Sequence, residues 1–333
     1  MVDAAVPSAA PAHDEAGAAH WLMHVPIPLF AMIMGLTGLG LAWRKAHDVL
    51  GVPGAVGESL LGFAATMFVL VAALYLSKAV RHFSEVKAEF NNPIRVNFFP
   101  TISISLLLLS IAALPYERTL GLTLWGVGAA LHLAATVYLI GRWITRAHEI
   151  TMINPAWFIP VVGNIIVPLS GVKLGFIELS WFFFSIGLVF WIILFTIVFY
   201  RIVFHNPLPG RFFPTLFILV APPGIGTVSY LALMGGQIDL FTRVLLYSGL
   251  FLTLLNFSMA RHFLKVPFFV SWWAYTFPMA AITIATLEYN HHVPNDGITA
   301  VSWTLLVVTT LIIASVFVRT TKALLGGELF VPD

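Results

Sequence analysis

The sequence predicts an all-α integral membrane protein, and three observations carry that expectation: 59% of its 333 residues are hydrophobic, only 10% are charged, and the apolar residues fall into ten long uncharged runs. Soluble domains carry roughly 25% charged residues. At a mean hydropathy of +0.93, a soluble fold could not hide so much apolar surface. Each run approaches the roughly 20 residues that a helix needs to cross a hydrocarbon core about 30 Å thick.

Charged residues mark the runs off in order. The first, residues 21–43, carries Pro26 and Pro28 and stops before Arg44 and Lys45. The second, 60–77, lies between Glu58 and Lys78; the third, 96–115, follows Arg95 and contains Pro100. The fourth, 120–140, lies between Arg118 and Arg142, and the fifth, 156–170, contains Pro160 and Pro168 and stops before Lys173. The sixth, 179–200, lies between Glu178 and Arg201; the seventh, 212–235, follows Arg211 and contains Pro214, Pro222 and Pro223. The eighth, 244–260, lies between Arg243 and Arg261, the ninth, 267–287, contains Pro278 and stops at Glu288, and the tenth, 298–318, ends before Arg319. The expected organisation is a short disordered cytoplasmic tail at residues 1–20, a ten-helix transmembrane channel domain at 21–318, and a short cytoplasmic tail at 319–333. The N-terminal stretch lacks the basic start and apolar middle of a signal peptide.

Lys and Arg set the orientation, because cytoplasmic loops keep the excess of positive side chains. Twelve lie on the side of the N-terminus and five on the other, which puts both termini in the cytoplasm of a cell inner (plasma) membrane protein and requires an even number of spans. The proline pattern carries more. Every odd-numbered run contains proline and no even-numbered run does. Proline removes a backbone donor and clashes one turn back, so it bends a helix, and interrupted helices in a bilayer are tolerated where they are buried in protein or border water. The expectation is five helical hairpins, with inner helices kinked at Pro28, Pro100, Pro160, Pro168, Pro214, Pro222 and Pro278 and straight outer ones. A weak repeat agrees: Phe98-Phe99-Pro100, Phe158-Ile159-Pro160 and Phe212-Phe213-Pro214 open the third, fifth and seventh runs at spacings of 60 and 54 residues.

Function classes narrow by subtraction. There is no cysteine, which removes disulfides, thiolate metal sites and cysteine nucleophiles. A net charge of +2 scattered over loops makes no nucleic-acid surface. No phosphate loop, serine elbow or helical metal-binding motif is present, and no enzyme, metal or cofactor is expected. Acidic and basic residues stay outside the ten runs or at their edges, which argues against buried-carboxylate proton coupling and against a buried arginine clamping a dianion. A pore of neutral side chains and backbone dipoles remains, suited to weak binding and fast passage. Its polar candidates are Asn164 and the hydroxyls of Thr101, Ser103, Ser105, Thr227, Ser271 and Thr276. His132 reads as a hydrogen-bonded packing histidine; a membrane haem or quinone protein using His24 and His132 is the reading from another class.

Three stretches together resemble the tellurite-resistance/dicarboxylate transporter family, which includes the bacterial tellurite-resistance protein and the plant guard-cell slow anion channels. They are Arg95-Val96-Asn97-Phe98-Phe99, Val162-Gly163-Asn164, and Trp272-Trp273-Ala274-Tyr275-Thr276-Phe277-Pro278, the last being the most specific. The likeness in helix order covers approximately residues 21–320. It implies an inner ring of five kinked helices around a pore, an outer ring of five, and homotrimers in which every protomer has its own pore. It also implies a phenylalanine gate, which the motif puts on Phe277, with Phe99 a weaker pore-facing candidate beside Asn164 and Thr276. The implied function is an anion channel or channel-like transporter for small inorganic or organic anions. The alternative is an exporter of a specific oxyanion (sulfite, tellurite) or a dicarboxylate by alternating access.

Overall fold

The computed structural model describes residues 21–331, so the tail expected at 1–20 lies outside the described residues. All regular structure among them is helical, with no strand. Among the described residues nine stretches are long and apolar enough to cross a membrane: Ile27–Leu50, Gly54–Arg81, Arg95–Ala113, Arg118–Thr145, Pro155–Leu174, Ile177–Phe204, Gly210–Leu233, Leu240–Ser258 and Asp296–Leu325. They correspond in order to the first eight expected segments and the tenth. The ninth is a 3-10 turn, Val270–Tyr275, followed by the α-helix Thr276–His292. At 17 residues the α-helical part is short for a span by itself, and its last turns carry Glu288, Asn290, His291 and His292.

Proline content separates the segments into two kinds. In the most apolar stretch of the first, third, fifth and seventh, between 72 and 83% of residues are buried; in the proline-free segments the share is 22 to 39%. Thirteen of the seventeen residues of Thr276–His292 are buried as well. An apolar helix buried on one side only faces lipid with the rest, and the second, sixth and tenth segments do so with Val69, Ile192 and Leu311 among others.

Helix ends follow local chemistry. Gly51 and Gly175 end the first and fifth segments with φ of 71° and 95°, left-handed backbone that glycine adopts without a Cβ penalty. The fourth and eighth helices start on carboxylate caps. Glu117 accepts from the Thr119 and Leu120 N–H groups, and Asp239 accepts from the Thr242 N–H at 2.9 Å. Those backbone donors hold the Glu117 carboxyl below its ordinary range, and they do the same for Asp239, helped by the Tyr230 hydroxyl.

The first segment packs on the second at glycine contacts. A Cβ on Gly57 would come within 2.7 Å of the Arg44 backbone nitrogen, an atom that cannot swing aside. Gly57→Ala is expected to destabilise the detergent-solubilised protein by about 1–3 kcal/mol, read as a lower melting temperature. Gly62→Ala, with nothing within 4 Å, is the matched control and should leave it unchanged. Beside this contact Arg44 grips Glu58 with two bonds of 2.6 Å, and Lys45 pairs with Glu288 of the ninth segment at 2.6 Å.

Charges outside the ten runs are not all solvated: Lys78 and Glu89 pair at 3.1 Å with side chains only 2% and 5% exposed. The second helix runs on to Arg81 and the chain turns back through a short helix, Phe83–Asn91, which folds Glu89 over Lys78. Tyr75 donates to Glu89 at 2.8 Å, Lys78 donates to the Val25 carbonyl at 2.7 Å, and the Ile27 N–H reaches the Glu89 carboxylate at 3.4 Å. The buried pair thus ties the start of the first segment to the end of the second. It is tolerated because each charge has several partners.

Candidate functional site

A cavity of about 70 Å³ lies among the proline-bearing segments and takes its lining from all five of them. The first contributes Pro28, Ala31 and Met34; the third Phe98, Thr101 and Ile104; the fifth Phe158, Val162 and Gly163. The seventh adds Thr215, Ile218 and Pro222, and the ninth Trp273, Ala274, Phe277 and Pro278. Among the described residues, no proline-free segment and no charged side chain contributes to the wall.

The local geometry explains the choice of segments. Each of the five begins as 3-10 helix and turns α-helical at the cavity: Ile27–Leu29 gives way to Phe30–Leu50, Arg95–Phe98 to Thr101–Ala113, Gly210–Val220 to Ala221–Leu233, and Val270–Tyr275 to Thr276–His292. The fifth alternates twice, with α-turns at Ile159–Val162 and Pro168–Leu174. Prolines stand at these junctions. Pro100 precedes its α-helix; Pro160, Pro168, Pro222 and Pro278 lie in the first turn of theirs, where the missing N–H would be without an intrahelical partner anyway. Pro28 and Pro214 sit inside 3-10 turns. As a result four helices of thirteen residues or more place their first turns in the wall of one apolar space, with their first N–H groups taken up by the carbonyls of the 3-10 turns they continue.

The hydroxyls in the wall are already engaged. Thr101 donates to the Phe98 carbonyl at 2.5 Å, Thr215 to Phe212 at 2.6 Å and Ser271 to Arg211 at 2.5 Å. Phe277 is 7% exposed. It makes no ring pair among the described residues, whereas Phe30 packs edge-on against Phe68 and Tyr75. Its neighbour across the cavity wall is the first segment at Gly38, where a Cβ would stand 3.5 Å from the ring.

The remaining sequence candidates sit behind this wall. Phe98, not Phe99, lines the cavity; Phe99 packs edge-on against Tyr75 and Phe90. Asn164 is fully buried and donates to Thr136 at 2.9 Å and to the Val161 carbonyl at 2.7 Å, while the adjacent Gly163 faces the cavity. Thr276 donates to the Trp273 carbonyl at 2.7 Å and lies against Gly35 of the first segment. His132 belongs to the same buried layer. Its Nδ1 is 2.9 Å from the Ser103 hydroxyl, which also lies 2.8 Å from the Pro100 carbonyl. Of the polar residues singled out in the sequence, Thr101 and Ser271 reach the cavity. Phe98, Thr215 and the Lys78–Glu89 pair were not singled out, and only the Phe-Phe-Pro repeat hinted at the first of them.

Residues 24–321 match the voltage-dependent anion channel family. The S-type anion channel SLAH3 of Arabidopsis thaliana is 29% identical over 90% of this chain and 48% of its own length, and SLAH2 of the same plant 30% identical over 82% and 54%. The chain thus spans about half the length of these plant relatives. A tellurite resistance protein TehA homolog from Haemophilus influenzae is 24% identical over 80% of this chain and 82% of its own.

Proposed function

Because the chain belongs to the voltage-dependent anion channel family, we propose that its central cavity is the path of small inorganic or organic anions across the bilayer and that Phe277 closes that path. The observation that carries the reading is the lining: all five proline-bearing segments contribute, the others do not, and no charged side chain enters. A narrow apolar constriction resists wetting, and a phenyl ring set across it blocks by volume and by hydration cost together. Preference for anions comes from the diffuse positive potential of a chain with more Lys and Arg than Asp and Glu, without the tight grip of a guanidinium in the wall. Weak attraction suits fast passage.

The finer architecture belongs to the same proposal. Val270–Tyr275 and Thr276–His292 together reach about 37 Å at the rises of 3-10 and α-helix, enough for a tenth span. Ten spans return both termini to one side, and the excess of Lys and Arg makes that side the cytoplasm of the plasma membrane. The proline-bearing segments then form an inner ring and the lipid-facing ones an outer ring, in homotrimers with one pore per protomer. The second reading is an exporter of one oxyanion or of a dicarboxylate by alternating access; of its candidate substrates, tellurite is the one that the Haemophilus relative's name mentions.

Planar bilayers containing the purified protein, bathed in asymmetric chloride or nitrate, test the ion preference. The current is expected to reverse near the equilibrium potential of the anion. Reversal near that of the cation would overturn the proposal.

A further inference from the structure

We propose that the crevice between the sixth and eighth segments is a binding site for an anionic phospholipid, with one acyl chain in the crevice and the headgroup phosphate held by Arg211, Arg261 and Lys265. A second cavity of about 230 Å³ lies there, lined by Phe199, Ile202, Leu216, Leu219, Leu252 and Leu255 among others, with Asn256 the only polar side chain in its wall. It runs from Met259 at the rim inward to Leu252, seven residues along a helix or about 10 Å. A cavity of about 150 Å³ lined by Leu, Ile and Phe stays dry and takes up an apolar guest; this one is larger and of the same chemistry.

The rim supplies the charge. Pro207, Leu208 and Phe213 on one side and Met259 on the other bound the cavity, and the two chain segments meet where the Phe213 ring packs 4.7 Å from that of Phe263. From those same segments project Arg211, Arg261 and Lys265, all exposed. None of the three has an acidic partner among the described residues. A second copy of the chain would cover the apolar crevice and leave three cations uncompensated. An anionic lipid of the cytoplasmic leaflet satisfies both at once.

The crevice also backs onto the central cavity. Along the 3-10 helix Gly210–Val220 the period is three: Thr215 and Ile218 face the central cavity, while Phe213, Leu216 and Leu219 face the crevice. The lipid would therefore rest against the outer surface of the proposed conduit's wall. Binding itself does not depend on the anion-passage reading, and its test uses no conduction.

Native mass spectrometry of the full chain, delipidated and titrated with phosphatidylglycerol or with phosphatidylcholine of the same acyl chains, provides that test. Phosphatidylglycerol should bind more tightly. Arg261→Gln/Lys265→Gln, which alters exposed side chains only, should weaken it roughly thirtyfold and leave phosphatidylcholine unchanged. Leu255→Phe, which narrows the crevice, should weaken both lipids. Equal binding of the two lipids by the unmodified chain would overturn the headgroup assignment, and phosphatidylglycerol binding untouched by either variant would overturn the site. A change of oligomeric mass in Leu255→Phe with lipid binding intact would assign the crevice to a second copy instead.

Discussion

Phe277→Ala is expected to raise anion current by roughly 10- to 100-fold. Burying a phenylalanine side chain is worth about 1.5–3 kcal/mol, and a barrier lowered by that amount speeds passage tenfold for each 1.36 kcal/mol. The ring is well placed to have this effect: it lies in the wall at the start of an α-helix, beside Pro278, with no aromatic partner among the described residues to hold it. Recording in planar bilayers, with monodispersity and melting temperature verifying the fold, checks the result. An unchanged current from well-folded protein would remove Phe277 from the gate. Current in the variant that grows with anion concentration without saturating separates an open conduit from an alternating-access cycle. Phe277→Leu, which keeps the apolar character and reduces the volume, should fall between.

The second large effect concerns stability. Glu89→Ala strands the Lys78 ammonium in a site 2% exposed and leaves the Tyr75 hydroxyl and Ile27 N–H without their carboxylate. Removing one partner of a buried pair costs about 3–5 kcal/mol, so the variant should melt at a markedly lower temperature or fail to accumulate. The double variant Lys78→Met/Glu89→Leu replaces both charges by apolar groups of similar size and should recover the part of the loss due to the stranded ammonium, while the Tyr75 hydroxyl and Ile27 N–H stay without their carboxylate. If the single and double variants melt alike, the charges are not what the site is built around. The outcome also bears on the cavity, since Lys78 holds the Val25 carbonyl three residues before Pro28.

Much of this fold is legible in the sequence because proline and charge act at long range along a chain in lipid. Nine of the ten uncharged runs fall on helices long and apolar enough to cross a membrane, and among those the presence of proline separates the deeply buried segments from those with one buried side. Facing direction was not legible. Phe99 is read from a motif and Asn164 and Thr276 from their polar side chains, none of which sets helical phase, and the proline-bearing segments enter as 3-10 helix, which advances 120° per residue rather than 100°. A few such residues turn the face by most of a side chain, and Phe98 and Gly163 take the wall. The ninth segment lost its place among the long apolar helices for a related reason: its first six residues are 3-10 and its last turns are polar. Lys78 and Glu89 escaped notice because a hydropathy reading treats a charge at the end of a run as solvated. Only the reversal of chain at the short helix Phe83–Asn91 brings them together under cover.

The eleven-residue 3-10 helix Gly210–Val220 gives the molecule a reserve of length. Such runs rarely exceed three or four residues, and at a rise of about 2.0 Å each these eleven reach about 22 Å. Rewound at the α-helical rise of 1.5 Å, they would reach only about 16 Å. Conversion would draw the chain in by about one α-helical turn and rotate Thr215 and Ile218 out of register with the space they now face. Pro214, which donates in neither winding but whose ring would clash with the carbonyl four residues back in an α-helix, biases the stretch toward its long form. A wall spun to a thinner gauge than its neighbours can be shortened without unfolding, and the diameter of what it encloses would follow its winding.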